Sequence, residues 1–327
     1  MVSIVGAACA RATEPVARTS RPAATARDSP LEIEAFPVPS GSHPHDVAPA
    51  PDGTVWYTAQ SAGKVGRLDP SDGSIKEVAL GPGSAPHGVI VGPDGAAWVT
   101  DPGLNALVRV DSKTHAVRKF SPSAGETPSF HTAVFDTDGV LWFTGQDGFF
   151  GRMNPKDAKV ETFAAPSGRG PYGITATPRG EVYFASLAAS YVARVDKRQG
   201  RVQRLDPPTK EQGARRVWSD SKGRIWVTEW NAGNLALYDP GSRRWREWRV
   251  PGANPQPYAV FVDDEDIVWV SDFGANAIHR FDPSTQAFAS IRLPASPGHV
   301  RQLLGRPGEV WGAESAADAL VRIKTRR

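Results

Sequence analysis

The 327-residue chain has one cysteine, two methionines and no long apolar run. A lone Cys9 excludes an internal disulfide and leaves no CxxCH haem attachment. No glycine fingerprint of a nucleotide-binding strand–turn–helix unit is present, so cofactor-dependent redox chemistry has no support. No apolar stretch approaches the ~20 residues that a membrane-spanning helix needs. Charge of one sign is scarce as well. The formal net charge is +3. Residues 1–30 carry +2 of it through Arg11, Arg18, Arg21 and Arg27 against Glu14 and Asp28, which leaves +1 for the rest. No basic run is interleaved with aromatics, so nothing points to nucleic acid.

What the chain does have is turns and repeats. Its 32 glycines and 29 prolines accompany 40% hydrophobic residues, a composition that suits a turn-rich all-β protein and not a disordered one. Residues 43–80 show the unit. An apolar segment (Val47–Ala50) leads into a Pro51-Asp52-Gly53 turn and an aromatic strand (Val55, Trp56, Tyr57, Thr58). A small-residue loop (Ser61, Ala62, Gly63), a third strand (Lys64–Leu68) and a last alternating strand around Ile75 and Glu77 complete it. The aromatic of the second strand recurs at Trp56, Trp98, Trp142, Tyr183, Trp226, Trp269 and Trp311, in steps of 42, 44, 41, 43, 43 and 42 residues. Seven copies of four strands at a period just above 40 predict a single seven-bladed β-propeller over 31–327. The large aromatic is expected as a wedge between neighbouring sheets.

The two ends are complementary. Residues 31–38 (LEIEAFPV) match the fourth strand of other repeats, while the last repeat stops after its third strand, 319–324. The N-terminal strand is therefore expected to complete the last blade and remove an open seam. Residues 1–30 read as a flexible tail. Val2–Ala8 followed by Cys9 looks like the end of a bacterial lipoprotein signal, although the apolar run is short and lacks a basic start. This suggests an exported, periplasmic or membrane-anchored protein tethered at Cys9; the bland alternative is a tail with an incidental cysteine.

In each blade the start of strand one and the end of strand two share one mouth of the central channel. There the copies differ most, which is where function is sought. The first position reads His45, His87, His131, Tyr172, Arg215 with Arg216, Tyr258, and finally His299 or Arg301. The second reads Ala59, Asp101, Gly145, Ser186, Glu229, Asp272 and Glu314. Three imidazoles on successive blades can serve as base and acid near neutral pH, or hold a metal. Tyr172, Arg215, Tyr258 and Arg301 are candidate ligand contacts. His115 and His279 lie elsewhere and are expected at the surface. The acids either orient a histidine or bind a cation, or else pair with the arginines.

The repeat, with P-H/Y-G-[IV], then D-G-x-[VL]-W-[FV]-T-[ED], then N-x-[LI]-x-R-[VF]-D, resembles the virginiamycin B (streptogramin) lyase family over residues 31–327. That resemblance implies a seven-bladed propeller that opens the ester of a cyclic depsipeptide by elimination, with Mg²⁺ assisting. It implies His45 and His87 as working histidines and Asp101 as the acid near them, a cation ligand or an orienting group. The family carries Glu two residues before the second histidine, where this chain has Ala85; either a different acid serves, such as Asp46 or Asp101, or the antibiotic elimination is lost. It also has an aromatic hydroxyl on the next blade, where this chain has His131.

Three functions follow as expectations. One is a divalent-cation-assisted C–O lyase, monomeric, acting on a small-molecule or cyclic peptide ligand at the mouth. Another is a non-catalytic cell-envelope propeller that binds a glycan, peptide or protein there, with Trp218 and Trp230 as stacking surfaces. The third is a lactonase-like hydrolase, which would need Glu229, Asp272 and Glu314 to converge on a cation.

Overall fold

The computed structural model describes residues 31–325. The expectations for the tail and for Cys9 lie outside the described residues. Seven four-stranded antiparallel sheets follow one another as the blades of a propeller, and six of them are built from consecutive strands. The seventh runs in the order Val300–Arg306, Glu309–Glu314, Ala319–Lys324 and then Ile33–Pro37. The strand Ile33–Pro37 pairs antiparallel with the last one, Ile33 opposite Ile323 and Pro37 opposite Ala319. Arg322 adds an ion pair to Glu34 across this seam. The expected closure is thus present.

Each blade interface holds one apolar cluster, and there are seven such clusters among the described residues. The repeated aromatic sits in every one. Trp56 packs with Val89 and Val99 of the next blade, and Trp311 with Val47 and Tyr57 of the first. The ring nitrogens of Trp142, Trp226 and Trp269 donate to Asp136, Asp220 and Asp263 at 2.9, 3.1 and 2.8 Å, in the turn that enters each second strand. Removing one such ring should cost about 3–5 kcal/mol, because both neighbouring sheets lose their filling.

Polar links join the inner edges. Thr58 accepts from the Asp46 N–H (3.0 Å) and donates to the His87 carbonyl (2.9 Å) of the next blade. Thr100 does the same between the Gly88 N–H (2.9 Å) and the His131 carbonyl (2.6 Å). Thr144 donates to the Tyr172 carbonyl, and Thr228 to that of Tyr258. A threonine two residues after the tryptophan is therefore a clasp between blades, and it fixes where the inner strands stand. No helix among the described residues is long and apolar enough to cross a membrane.

Candidate active site

The inner strands carry the site. Six of the seven have a register shift after their first residue, as between Pro44 and Val47 or between Ala214 and Val217. A bulge adds a residue and suspends the alternation of faces. In those six blades two consecutive residues therefore reach the ring. The outer ring is His45, His87, His131, Tyr172, Arg215, Tyr258 and Arg301. Val300 pairs with Glu314 as Ala214 pairs with Glu229. That register puts Arg301 in the ring and His299 two residues outside it, stacked on Phe273 at 4.5 Å. The inner ring contains Asp46, Gly88, Thr132, Gly173, Arg216, Ala259 and Gln302. Glycine is required at two of these places: a Cβ on Gly88 would stand 2.9 Å from the His131 carbonyl, and one on Gly173 2.7 Å from the Arg216 Cα.

Half of the outer ring is a stack of rings. His45 to His87, His87 to His131 and His131 to Tyr172 have centroid separations of 3.8, 3.9 and 3.8 Å, tilted by 42° to 48°. Their hydrogen bonds fix the tautomers. His87 Nδ1 faces the His131 carbonyl at 2.9 Å, so Nδ1 carries the proton and Nε2 the lone pair. His45 Nδ1 stands 2.8 Å from Asp46 Oδ1. His131 Nδ1 lies 2.8 Å from Thr132 Oγ1, and its buried Nε2 has no partner. His87 is the most open of the three, 9% exposed against 3% for His45 and 2% for His131. All three titrate well below the usual histidine range. Burial is the main cause for each. For His45 it is followed by the fields of Arg216, Arg301 and Arg215, and for His87 by the neighbouring His45.

The other half is aromatic and cationic. Tyr172 and Tyr258 join hydroxyl to hydroxyl at 2.6 Å, and Arg215 donates to the Tyr172 hydroxyl at 2.8 Å. The Arg215 guanidinium lies 3.6 Å over the Tyr258 ring and 4.4 Å over Trp230. Burial alone would push the Tyr258 phenol up, but Arg215 and Arg216 outweigh it and pull it below its ordinary value; burial takes Tyr172 the other way. Arg216 crosses the channel. It donates to Thr132 at 2.8 Å and pairs with Asp46 at 3.3 Å, both partners buried. Arg301 donates from Nε to Ser315 at 2.8 Å.

The acids at the ends of the second strands organise loops. Asp101 accepts from Ser84 Oγ (2.6 Å), the Ala85 N–H (3.0 Å) and the Leu104 N–H (3.0 Å). It thereby holds the turn that leads into His87, and none of these contacts is to a histidine ring. Asp272 accepts from the Gln256 and Gly274 N–H groups. Its other oxygen lies 3.3 Å from Nε2 of His279. That histidine was expected at the surface but is only 1% exposed: its strand pairs it with the buried Val270, on the face turned toward the neighbouring sheet. His115 is half-buried beside Trp56. Glu229 accepts from Asn234, and Glu314 has one oxygen without a partner. Glu229, Asp272 and Glu314 do not meet.

Among the described residues, one group of three could present ligand atoms to one ion: His45, Asp46 and His87. Two imidazoles and a carboxylate are poor magnesium donors, since that ion takes oxygen ligands in an octahedron. The carboxylate is also already shared between His45 and the Arg216 cation. Asp101 has both oxygens committed to its own loop. These residues do not fit magnesium.

The model of the virginiamycin B lyase family matches residues 20–243, the larger part of the chain. The chain belongs to the virginiamycin B lyase family. Among solved structures it is similar to virginiamycin B lyase from Staphylococcus aureus, with 18% identity, a TM-score of 0.84, and coverage of 91% of this chain and 100% of that one. A streptogramin B lyase structure gives 22%, 0.82, 90% and 97%. The extracellular domain of a hybrid two-component system from B. thetaiotaomicron gives 15% and 0.73, covering 90% of this chain and 43% of that one. At these identities the likeness is one of fold, and the fold occurs both in lyases and in the extracellular domain of a two-component system. No curated protein matches the sequence of this family member.

Proposed function

We propose that this member of the virginiamycin B lyase family is a C–O lyase that works by proton abstraction at the mouth of the ring. The observation that carries the reading is His87. It is neutral near pH 7, locked with its lone pair on Nε2 by the His131 carbonyl, and more open than its neighbours. Such a group can take the proton α to a carbonyl. The electron pair released forms a C=C bond, the bond from the β-carbon to oxygen breaks, and the departing group leaves as an oxyanion. Arg215 and Arg301 stand on the fifth and seventh blades, on either side of Tyr258; as fixed donors they would meet negative charge that develops on the carbonyl oxygen, which lowers the barrier. His45 packs on His87 and is itself held by Asp46. Asp101 acts as a positioning residue through the Ala85 N–H. The inactive histidine-to-alanine variant of the S. aureus lyase, solved with quinupristin, supports a histidine in the working role.

The test uses quinupristin as substrate, with products followed by mass spectrometry. Elimination opens the ring without a change of mass, whereas hydrolysis adds one water. Wild type should give the isobaric product, and His87→Gln should lose about 10²–10⁴-fold in rate with an unchanged melt. A product carrying an added water would replace the lyase by a hydrolase. No elimination from this ester or from any other substrate with a β-oxygen leaving group would favour the second reading, a binding propeller of the cell envelope. That reading has its own support: Ala85 stands where the family has Glu, and Asp101 is consumed by its loop.

A further inference from the structure

We infer that the substrate of this site carries a free carboxylate, seated between Arg215 and Arg301 beside Tyr258, on the carbon from which His87 takes the proton. The inference rests on the lyase reading and names the substrate class for it. Three guanidinium groups face the mouth, and one carboxylate, Asp46, answers Arg216. Arg215 and Arg301 make no ion pair among the described residues: the first donates to the Tyr172 hydroxyl, the second to the Ser315 hydroxyl. Both are half-buried, and the Arg215 Nε is fully covered without a hydrogen-bond partner. Asp46 lies within the field of Arg301 but pairs with Arg216, and the acids at the ends of the second strands make no ion pair with either arginine among the described residues. Asp272 is held by two backbone N–H groups and His279. Burial raises the carboxyls of Glu229 and Glu314, the first to about 8. Partly desolvated cations without counter-charge are unfavourable alone, and an arriving anion relieves the cost.

The anion is a carboxylate because the chemistry at His87 asks for one. A proton on the carbon next to a carboxylate is a poor acid until the carboxylate charge is neutralised. Two guanidiniums do that and hold the resulting dianionic enediolate. The step then balances with one residue. His87 Nε2 takes the α-proton, the C=C bond forms toward the β-carbon, the C–O bond there breaks, the departing alkoxide takes a proton from water, and the imidazolium returns its own to solvent. The products are an α,β-unsaturated carboxylate and an alcohol, with no oxidant or co-reactant. A β-alkoxy acid of this kind is found in any oligosaccharide that contains a 4-linked uronate.

Binding separates this inference from the lyase reading. Digalacturonate and its methyl ester would be titrated by calorimetry into the full-length protein. Turnover would be followed separately, through the ultraviolet absorbance of the conjugated product. The free acid should bind saturably and at least tenfold more tightly than its ester, and Arg215→Gln and Arg301→Gln should each weaken it about tenfold or more. The acid–ester comparison is made within the wild type, so it stands even if a variant misfolds. Equal binding of acid and ester, binding of neither, or folded arginine variants that bind the acid as wild type does would overturn the carboxylate site. If quinupristin is nevertheless opened without change of mass, the lyase reading survives that failure. A digalacturonate that binds as expected but is never turned over, together with an inert quinupristin, would keep the site and remove the lyase.

Discussion

At the scale of single residues, the neutrality of His87 has a consequence in pH. Its folded value lies well below 6.5, chiefly through burial, so the base stays competent on the acid side of that value. The acidic limb of kcat/KM should have its midpoint below pH 6.5. Arg216→Gln removes one of the fields that depress it and should move the limb upward, read from pH–rate profiles of both proteins. Glu229 works in the opposite sense. Burial, with the nearby Glu247 adding to it, raises its carboxyl to about 8. A folded value above the unfolded one means that the native state binds the extra proton between about pH 4.5 and 8. Stability therefore falls across that window as pH rises and is flat above it. Glu229→Gln keeps the neutral form at all pH. Its melting temperature relative to wild type should rise from pH 5 to pH 9, by an equivalent of about 1–3 kcal/mol. Equal differences at both pH values would show that Glu229 is not titrating there.

At the scale of the strand, the threonine clasps and the bulges determine what can face the ring. Thr100→Val removes a donor to the His131 carbonyl and an acceptor for the Gly88 N–H, both buried. It should cost about 1–3 kcal/mol in denaturant melts. It should also lower kcat more than it raises KM, because the same carbonyl fixes the His87 tautomer. The outer ring was legible in the sequence, since His45, His87, His131, Tyr172 and Tyr258 stand at equal offsets from the repeated aromatic. The inner ring was harder to see. Asp46 and Arg216 stood out only by their charge, and Thr132 and Gln302 gave no signal, because a bulge breaks the alternation by which a strand's faces are read. His279 was misplaced for a related reason. A third strand of a blade has two covered faces, so polarity alone did not predict its exposure. Asp101 looked like a site acid because its position in the repeat is the right one; only the loop geometry reveals that backbone N–H groups hold it.

At the scale of the molecule, the period and the unmatched ends carried the fold. A period just above 40 leaves room for four strands and their turns, and the seven aromatics mark seven interfaces. The ring depends on its seam. A protein beginning at Gly41 loses the strand Ile33–Pro37, its pairing to Ala319–Lys324 and the Glu34–Arg322 pair. Its melting temperature should drop by several degrees or more, with a single transition in the intact protein that broadens or splits in the shortened one. An unchanged melt would mean that the seam contributes nothing.

The same seam sets a timetable for synthesis. The partner of the first strand is made almost last, some 280 residues later in the chain. Until Ala319–Lys324 has emerged, Ile33–Pro37 has no neighbour in its sheet and each finished blade presents an apolar face with nothing to meet. Interrupted translation of this protein should therefore yield sticky fragments instead of smaller stable domains. The cell has a reason to keep the chain shielded from its first blade to its last strand.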